Sequence, residues 1–323
     1  MQNARHPIRG YLLIAAATLF WGGSATLGKA AFTGMLGGAD VKPLDSLILA
    51  QARTTISLLI LFPIVLLWKG KAGLRLPGRD LFLCGLLGVL GLAASNYFYY
   101  YAIEKTSVAT AIILQYVAPI WVLLYMVFRG LQRATAIRVL AVFLAFMGSV
   151  LAIGAVVATP GAPYFEIIGI KLHWGGVIAA ELAGMSFAFY NIVGGSLVNR
   201  HDRWKVLVYG LGSAALFWQF INPPWKVLAA NYSGEQWLFL LVFSITSMLL
   251  PFSLYFAGLQ YLDPTRAIVT SCLEPVFAIL FAASFVHEAV GWIQALGIAI
   301  VLAATILVQM PDKRPESHPV EHT

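Results

Sequence analysis

Apolar runs dominate this chain, and they come in one size. About ten of them, each about 18 to 25 residues long, are separated by short polar connections. A run of that length crosses a hydrocarbon core of about 30 Å as a helix, and hardly any other element fits it. The sequence predicts spans at Ile8–Phe32, Leu44–Trp68, Leu81–Ile103, Ser107–Phe128, Thr135–Val157, Trp174–Leu197, Lys205–Ile221, Gln236–Gln260, Thr265–Val286 and Val290–Gln309. Composition agrees: 60% of residues are hydrophobic and 11% charged, against about 25% charged in soluble domains. A β-barrel would show weak ten-residue alternation instead. The expected fold is therefore an all-α membrane protein. Arg5 and Arg9 precede the first run as in a signal peptide, but its length and the runs after it predict a retained helix. Cys84 and Cys272 fall inside apolar runs and read as buried small residues, not as a disulfide. The polar, proline-broken tail 310–323 is expected to be disordered.

The basic residues divide unevenly between the two sides of this arrangement. Fifteen lie on the side of the N-terminus: Arg5, Arg9, Lys69, Lys71, Arg75, Arg79, Arg129, Arg133, Arg138, Arg200, Arg203, Lys205, Arg266, Lys313 and Arg314. Lys29, Lys42, Lys105, Lys171 and Lys226 lie on the other, and Arg53 is within a span. The positive-inside rule then places both termini in the cytoplasm. The net charge of +7 reflects orientation in a bilayer, and nucleic acid is not an expected partner.

The chain repeats itself. At an offset of 156, residues 95–153 lie over 251–309 without a gap. Tyr99 meets Tyr255, Ala111 meets Ala267 and Pro119 meets Pro275. Ser107 and Asp263 both stand where an N-cap belongs, and Pro264 follows its cap at the first helical position. Gly88, Gly91, Ser95, Tyr99 and Ala102 of the third span match Ser244, Ser247, Pro251, Tyr255 and Gly258 of the eighth. An offset of 166 relates the first and sixth spans. Each carries a stripe of small or polar residues: Ala15, Thr18, Gly22, Ala25 and Lys29, then Glu181, Gly184, Ala188, Asn191 and Gly195. Small residues let helices approach closely in lipid. Five spans per half is an odd number, so the halves are oppositely oriented, with a five-helix repeat at 8–157 and its inverted copy at 174–309. Inverted repeats place a solute site near mid-membrane where the halves meet.

Charges are sparse inside the spans. Lys29, Arg53, Glu181 and Glu274 stand deepest, two of each sign. Such residues face a wet cavity or each other, because facing lipid is costly. Lys29 is close enough to a span end to snorkel. Ala267, Ser271 and Glu274 share one face, as do Ala111, Gln115 and Ala118. Pro275 is expected to bend its helix and free a backbone carbonyl one turn earlier; Pro119 is expected to do the same in the first half. Glu274 beside that carbonyl reads either as a proton-accepting site or as a carboxylate that only braces the bundle. Tyr97, Tyr99, Tyr100 and Asn96 add rings and polar tips suited to amphipathic solutes. Trp21 and Trp121 either line a cavity or pack.

Several stretches resemble one known family. "TLFWGGSATLGKA" is similar to the first-helix Trp-Gly…Lys pattern of drug/metabolite transporters. "QARTTISLLIL" resembles their second-helix arginine, and "SVATAIILQYVAPIWVLL" and "DPTRAIVTSCLEPVFAIL" their paired fourth and ninth helices. With the length and span number, the chain resembles the EamA branch over residues 8–309. The acidic residue usual after helix four is Gln132 here, while its second-half counterpart is Glu288. The resemblance implies export of small metabolites, such as amino acids or toxic compounds, by alternating access in a cell membrane (the inner membrane in a bacterium). The candidate binding residues are Trp21, Lys29, Arg53, Asn96, Tyr97, Tyr99, Tyr100, Gln115, Glu181, Asn191, Tyr255, Ser271 and Glu274. Protons are a candidate second cargo, the bilayer is the medium, and monomer and homodimer both stay open. A lipid flippase would need the same core. A membrane-embedded enzyme is disfavoured: the six His and six Asp sit in loops, span edges or tails, and no HExxH, Cys/His metal spacing or Walker motif occurs. No cofactor is expected.

Overall fold

The computed structural model describes residues 7–32, 44–105, 111, 114–154, 174–285 and 292–308. The expectations for Ser107, Glu288 and the 310–323 tail lie outside these residues. The elements are α1 Pro7–Phe32, α2 Ser46–Gly73, α3 Gly78–Lys105, α4 Ala118–Phe128, α5 Ala136–Gly154 and α6 Trp174–Val198. Then follow α7 Arg203–Ile221, the short α8 Pro224–Ala229, α9 Gly234–Leu259, α10 Pro264–Ser271, α11 Glu274–Phe285 and α12 Trp292–Leu307. At 28 residues, α2 and α3 are each about 42 Å long, more than the hydrocarbon thickness. In α2 the regular helix is interrupted at Gly70 (φ 65°, ψ 173°), so its crossing part stops close to the predicted Trp68.

The helix starts follow local chemistry. Asp45 accepts from Leu47 N (2.8 Å) and caps α2; Asp202 accepts from Trp204 N (3.0 Å) and caps α7. Asp263 accepts from Arg266 N at 3.0 Å and Pro264 opens α10, as the sequence predicts.

The fourth and ninth spans differ from the bent single helices predicted. Each is broken. The chain turns at Tyr116–Val117 before α4 and at Cys272–Leu273 before α11. Pro119 and Pro275 stand second in the new helices, where a missing N–H costs nothing. The two breaks lie 156 residues apart, as do the helix starts Ala118 and Glu274. A third irregularity is duplicated at this offset. π-helical turns interrupt α3 at Leu87–Ala93 and α9 at Ile245–Leu249, and their last residues are again 156 apart. All ten small or polar residues of the matched third- and eighth-span faces are buried.

The two halves run in opposite directions. α1 begins beside the end of α9: a Cβ on Gly10 would stand 2.8 Å from Leu262 Cγ. α6 ends at that same face, where a Cβ on Gly195 would meet Pro264 Cγ at 3.4 Å. We call this the proximal face and the opposite one distal. The neighbours are exchanged accordingly: α1 packs on the second half of α9, and α6 on the second half of α3. α2 pairs with α7, and α5 with α12. The α5–α12 contact is close enough that a Cβ on Gly148 would sit 2.9 Å from Val301 N. At the distal end, Gln51 and Asn222 tie α2 to the end of α7 through two bonds of 2.7 Å.

Candidate functional site

Where the halves meet, a cavity opens among α1, α2, α3, the fourth span, α6, α9 and α11. Arg53 is its cation. The side chain is 2% exposed and lies in a stripe with Ser46, Ala50 and Ser57, all buried. Its Nη1 donates to Asn96 Oδ1 (2.9 Å) and its Nη2 to the Ser247 carbonyl (2.5 Å). That carbonyl is available because Pro251, four residues on, has no N–H to offer it. The guanidinium also lies 4.7 Å from the Tyr100 ring centroid and 5.3 Å from that of Phe243. Asn96 is itself held by donating to the Leu92 carbonyl (2.7 Å) within the π-helical stretch. Nε of Arg53 is buried without a partner.

Glu274 is the cavity's anion, 9% exposed. Tyr99 donates to its Oε1 at 3.4 Å and Tyr116 to its Oε2 at 3.1 Å. The Tyr116 hydroxyl also lies 3.2 Å from the Ser271 carbonyl, the group that Pro275 leaves without its helical partner. The freed carbonyl expected from the sequence is thus present, beside the carboxylate. α1 presses against this break: a Cβ on Gly22 would stand 2.9 Å from both Glu274 O and Ala278 N. Among the described residues no salt bridge joins Arg53 to a carboxylate. The two charges share the cavity without pairing directly.

Aromatic rings form the remaining wall. Trp21 meets Phe252 at 5.1 Å, Tyr255 at 5.2 Å and Phe187 at 5.8 Å between centroids. One turn closer to the proximal face, Tyr190 stacks on Phe256 at 5.0 Å. These rings are buried between the cavity and that face. Beyond them, four consecutive residues reach three different helix ends. Arg200 and His201 bind Asp80 at the start of α3 (2.8 and 2.7 Å). Asp202 binds Lys69 near the end of α2 (2.8 Å), and Arg203 donates to Gln260 after α9 (2.9 Å). Gln132, which stands where the family resemblance leads one to expect an acid, accepts from Thr265 Oγ1 at 2.7 Å and ties the α4–α5 connection to α10.

Of the candidate residues, the fold gathers Trp21, Arg53, Asn96, Tyr99, Tyr100, Gln115 and Glu274 around the cavity. The others stand elsewhere. Tyr255 is fully buried behind Trp21 and donates to Asn191 Oδ1 at 2.6 Å. Ser271 is buried in the break and donates to Ile268 O. Tyr97 is half-buried against Trp218 and Tyr101, on the α7 side of α3. Glu181 is not deep in the bundle: its Oε1 accepts from Trp121 Nε1 at 2.8 Å in an exposed contact. That pairing satisfies both groups at the bundle surface and also fixes Trp121, 39% exposed, away from the cavity. The Lys29 side chain lies outside the described residues. Ser24, Ser95, Tyr116, Phe187 and Phe252 also line the cavity. Tyr116 had a legible signal, standing three residues before Pro119 in a duplicated break. The two Phe had none that separates wall from core.

Paired bundles of opposite direction around a charged, ring-walled cavity make this a multi-pass membrane protein of the solute-carrier type. The chain belongs to the EamA-like transporter family, whose pattern it matches over residues 8–154 and again over 174–310. It is 28% identical over 225 residues to an uncharacterized transporter of Archaeoglobus fulgidus, covering 68% of this chain and 75% of that protein. A second transporter of that organism is 25% identical over 92% of this chain and 96% of its own. The inner membrane transporter YicL of Salmonella typhimurium is 23% identical over 95% and 97%. A solved crystal structure superposes with a TM-score of 0.70 over 93% of this chain and 96% of its own, at 20% identity, a likeness of fold. Among the described residues no group of three or more His, Cys, Asp or Glu could hold a metal ion.

Proposed function

We propose that this transporter exports small amphipathic metabolites, amino acids or their relatives, by alternating access, with Glu274 exchanging a proton during the cycle. One observation carries the reading: Arg53 and Glu274 face one aromatic-walled cavity and are not joined to each other. A solute with a carboxylate, an ammonium and an apolar body offers a counter-charge to each and a surface to the rings. The Glu274 carboxyl stands at the cavity wall with two tyrosine hydroxyls as partners, which suits a group that trades protons.

The proximal face carries Arg9, Lys69, Arg75, Arg200, Arg203, Lys205 and Arg266, so the positive-inside rule makes it the cytoplasmic one, with both termini there. The rings and ion pairs packed at this face support reading it as a carrier closed to the cytoplasm. The test is a solute screen by thermal shift on purified protein, since a ligand of the folded state raises its melting temperature. Zwitterionic hits whose shift vanishes in Arg53→Ala support the assignment; hits indifferent to Arg53 and Glu274 sink it. For the proton, Glu274→Gln is expected to transport without the wild-type pH dependence, and an unchanged pH profile refutes that part.

A further inference from the structure

Tyr116 has one hydroxyl proton and two acceptors. Glu274 Oε2 lies 3.1 Å away and the Ser271 carbonyl 3.2 Å away. The second acceptor exists because Pro275 cannot supply the N–H that a continuous helix would provide. The first belongs to a carboxyl group in a buried cavity. We propose that Tyr116 is a positioning residue that passes the charge state of Glu274 to the helix break at Cys272–Leu273. This rests on Glu274 being the proton site.

The coupling follows from acceptor strength. With Glu274 ionised, hydrogen bonds to the carboxylate are charge-assisted and the stronger ones, so Tyr116 joins Tyr99 in donating to it. The Ser271 carbonyl then loses the donor that substitutes for the missing N–H, inside a break where water is scarce. With Glu274 protonated, its own O–H can donate to a tyrosine oxygen, and the Tyr116 proton returns to the Ser271 carbonyl. The break is fully bonded in the second state and under-bonded in the first. Nothing forms or breaks covalently except the Glu274 O–H, whose proton is exchanged with solvent. The other groups that face Glu274 are fixed in kind. Arg53 of α2 stays a cation, Tyr99 and Tyr100 of α3 and Ser24 of α1 are neutral donors, and α6 and α9 present Phe187 and Phe252.

The break carries its own reporter. Cys272 is fully buried at the turn, and the only other cysteine is Cys84. In a Cys84→Ala background, maleimide labelling of Cys272 is followed from about pH 5 to 9 on purified full-length protein without solute. Glu274→Gln gives the baseline, since it keeps the thiol's own pH dependence and removes that of the carboxyl. The parent is expected to label at least about fivefold faster than this baseline on the alkaline side, the low end of ordinary coupling between sites. Tyr116→Phe leaves the Ser271 carbonyl without this donor at every pH, so it is expected to label fast throughout and to lose the pH step. Tyr99→Phe, which touches Glu274 but not the Ser271 carbonyl, should keep the excess and move its midpoint. Pro275→Ala returns an N–H to the Ser271 carbonyl and should abolish the excess, so a Tyr116→Phe that fails to fold leaves the test intact. A pH-dependent step that survives Tyr116→Phe or Pro275→Ala overturns the proposal, as does a parent that never departs from the baseline. No solute enters these measurements. Screen hits indifferent to Arg53 and Glu274 would sink the substrate reading alone, and a missing pH step would sink this coupling alone.

Discussion

Gly22 and Gly23 are neighbours in α1 and pose a sharp test of how the bundle is packed. Both are helical, so replacing either with alanine removes the same backbone penalty, about 0.5–1 kcal/mol in favour of the variant. Their surroundings differ. A Cβ on Gly22 would stand 2.9 Å from Ala278 N, 2.9 Å from Glu274 O and 3.1 Å from Phe277 Cβ. Two of those are backbone atoms of α11, and relief requires moving α11 away from α1. Overpacking of this kind costs about 1–3 kcal/mol, so the net for Gly22→Ala is a loss of about 0.5–2 kcal/mol. A Cβ on Gly23 would meet only the Phe281 ring, at 3.7 Å, an ordinary contact. Gly23→Ala should be neutral to stabilising by up to about 1 kcal/mol. Thermal unfolding in one detergent, by intrinsic fluorescence, reads both. Gly22→Ala should melt a few degrees lower and Gly23→Ala at or above the parent. Because the strained contact is with the carbonyl of Glu274 itself, Gly22→Ala should also weaken the thermal shift given by a cavity ligand. A Gly22→Ala variant as stable as Gly23→Ala would refute the close approach of α1 to the broken helix.

Three further outcomes follow from the same geometry. Arg53→Lys keeps the charge but not the fork; a single ammonium cannot serve Asn96 Oδ1 and the Ser247 carbonyl while lying between two rings. Leaving one acceptor bare should cost about 1–3 kcal/mol in thermal unfolding, and an unchanged melting temperature would count against the buried arrangement. Burial alone would raise the Asp202 carboxyl, but the Lys69 ammonium and the N–H groups of Trp204 and Lys205 outweigh it and hold it below its ordinary value. A lowered carboxyl contributes stability above the unfolded value, near pH 4, and loses it as pH falls through the folded one. Asp202→Asn should therefore melt slightly lower near neutral pH and converge with the parent in acid; a gap that widens in acid would contradict the sign. Asp80→Asn weakens the contacts of both Arg200 and His201 and should speed labelling of the buried Cys84, one turn further into α3, by a soluble thiol reagent; unaltered labelling would mean that this cluster does not hold the proximal face shut.

The fold was largely legible because its constraints are one-dimensional. A bilayer fixes the length of each apolar run, and duplication repeats irregularities at a constant offset, so the N-cap at Asp263 and the prolines at 119 and 275 could be read directly. What failed was three-dimensional. The sequence places a charge within a span but does not say which side of the helix has a partner. Glu181 lies on a stripe of small residues with Gly184, Ala188 and Asn191, yet it meets Trp121 at the bundle surface, because α4 supplies an indole N–H there. Tyr97 looked equivalent to Tyr99 and Tyr100, but a helix turns about 100° per residue and carries it round to Trp218. A proline in an apolar run announces an interruption without saying whether the helix bends or starts afresh. Only the turns at Tyr116–Val117 and Cys272–Leu273 decide that.

Duplication gives this protein a symmetric scaffold and an asymmetric site. At the offset of 156, Glu274 corresponds to Ala118, Cys272 to Tyr116 and Ser271 to Gln115. Each half therefore has a break, a proline after it and a carbonyl left over, but the carboxylate stands only in the second half and the hydroxyl that satisfies it only in the first. Tyr99 and Tyr255 show the same divergence: one reaches the carboxylate, the other the Asn191 amide of α6. The charged part of the cavity is thus assembled across the interface and not within either repeat. The proposed rocking of one half against the other would change the distance from Tyr116 to Glu274, while Pro275 and Ser271, four residues apart, would stay together. Under the proposed coupling, the contact that reads the charge of Glu274 is the same contact that such a motion would have to remake.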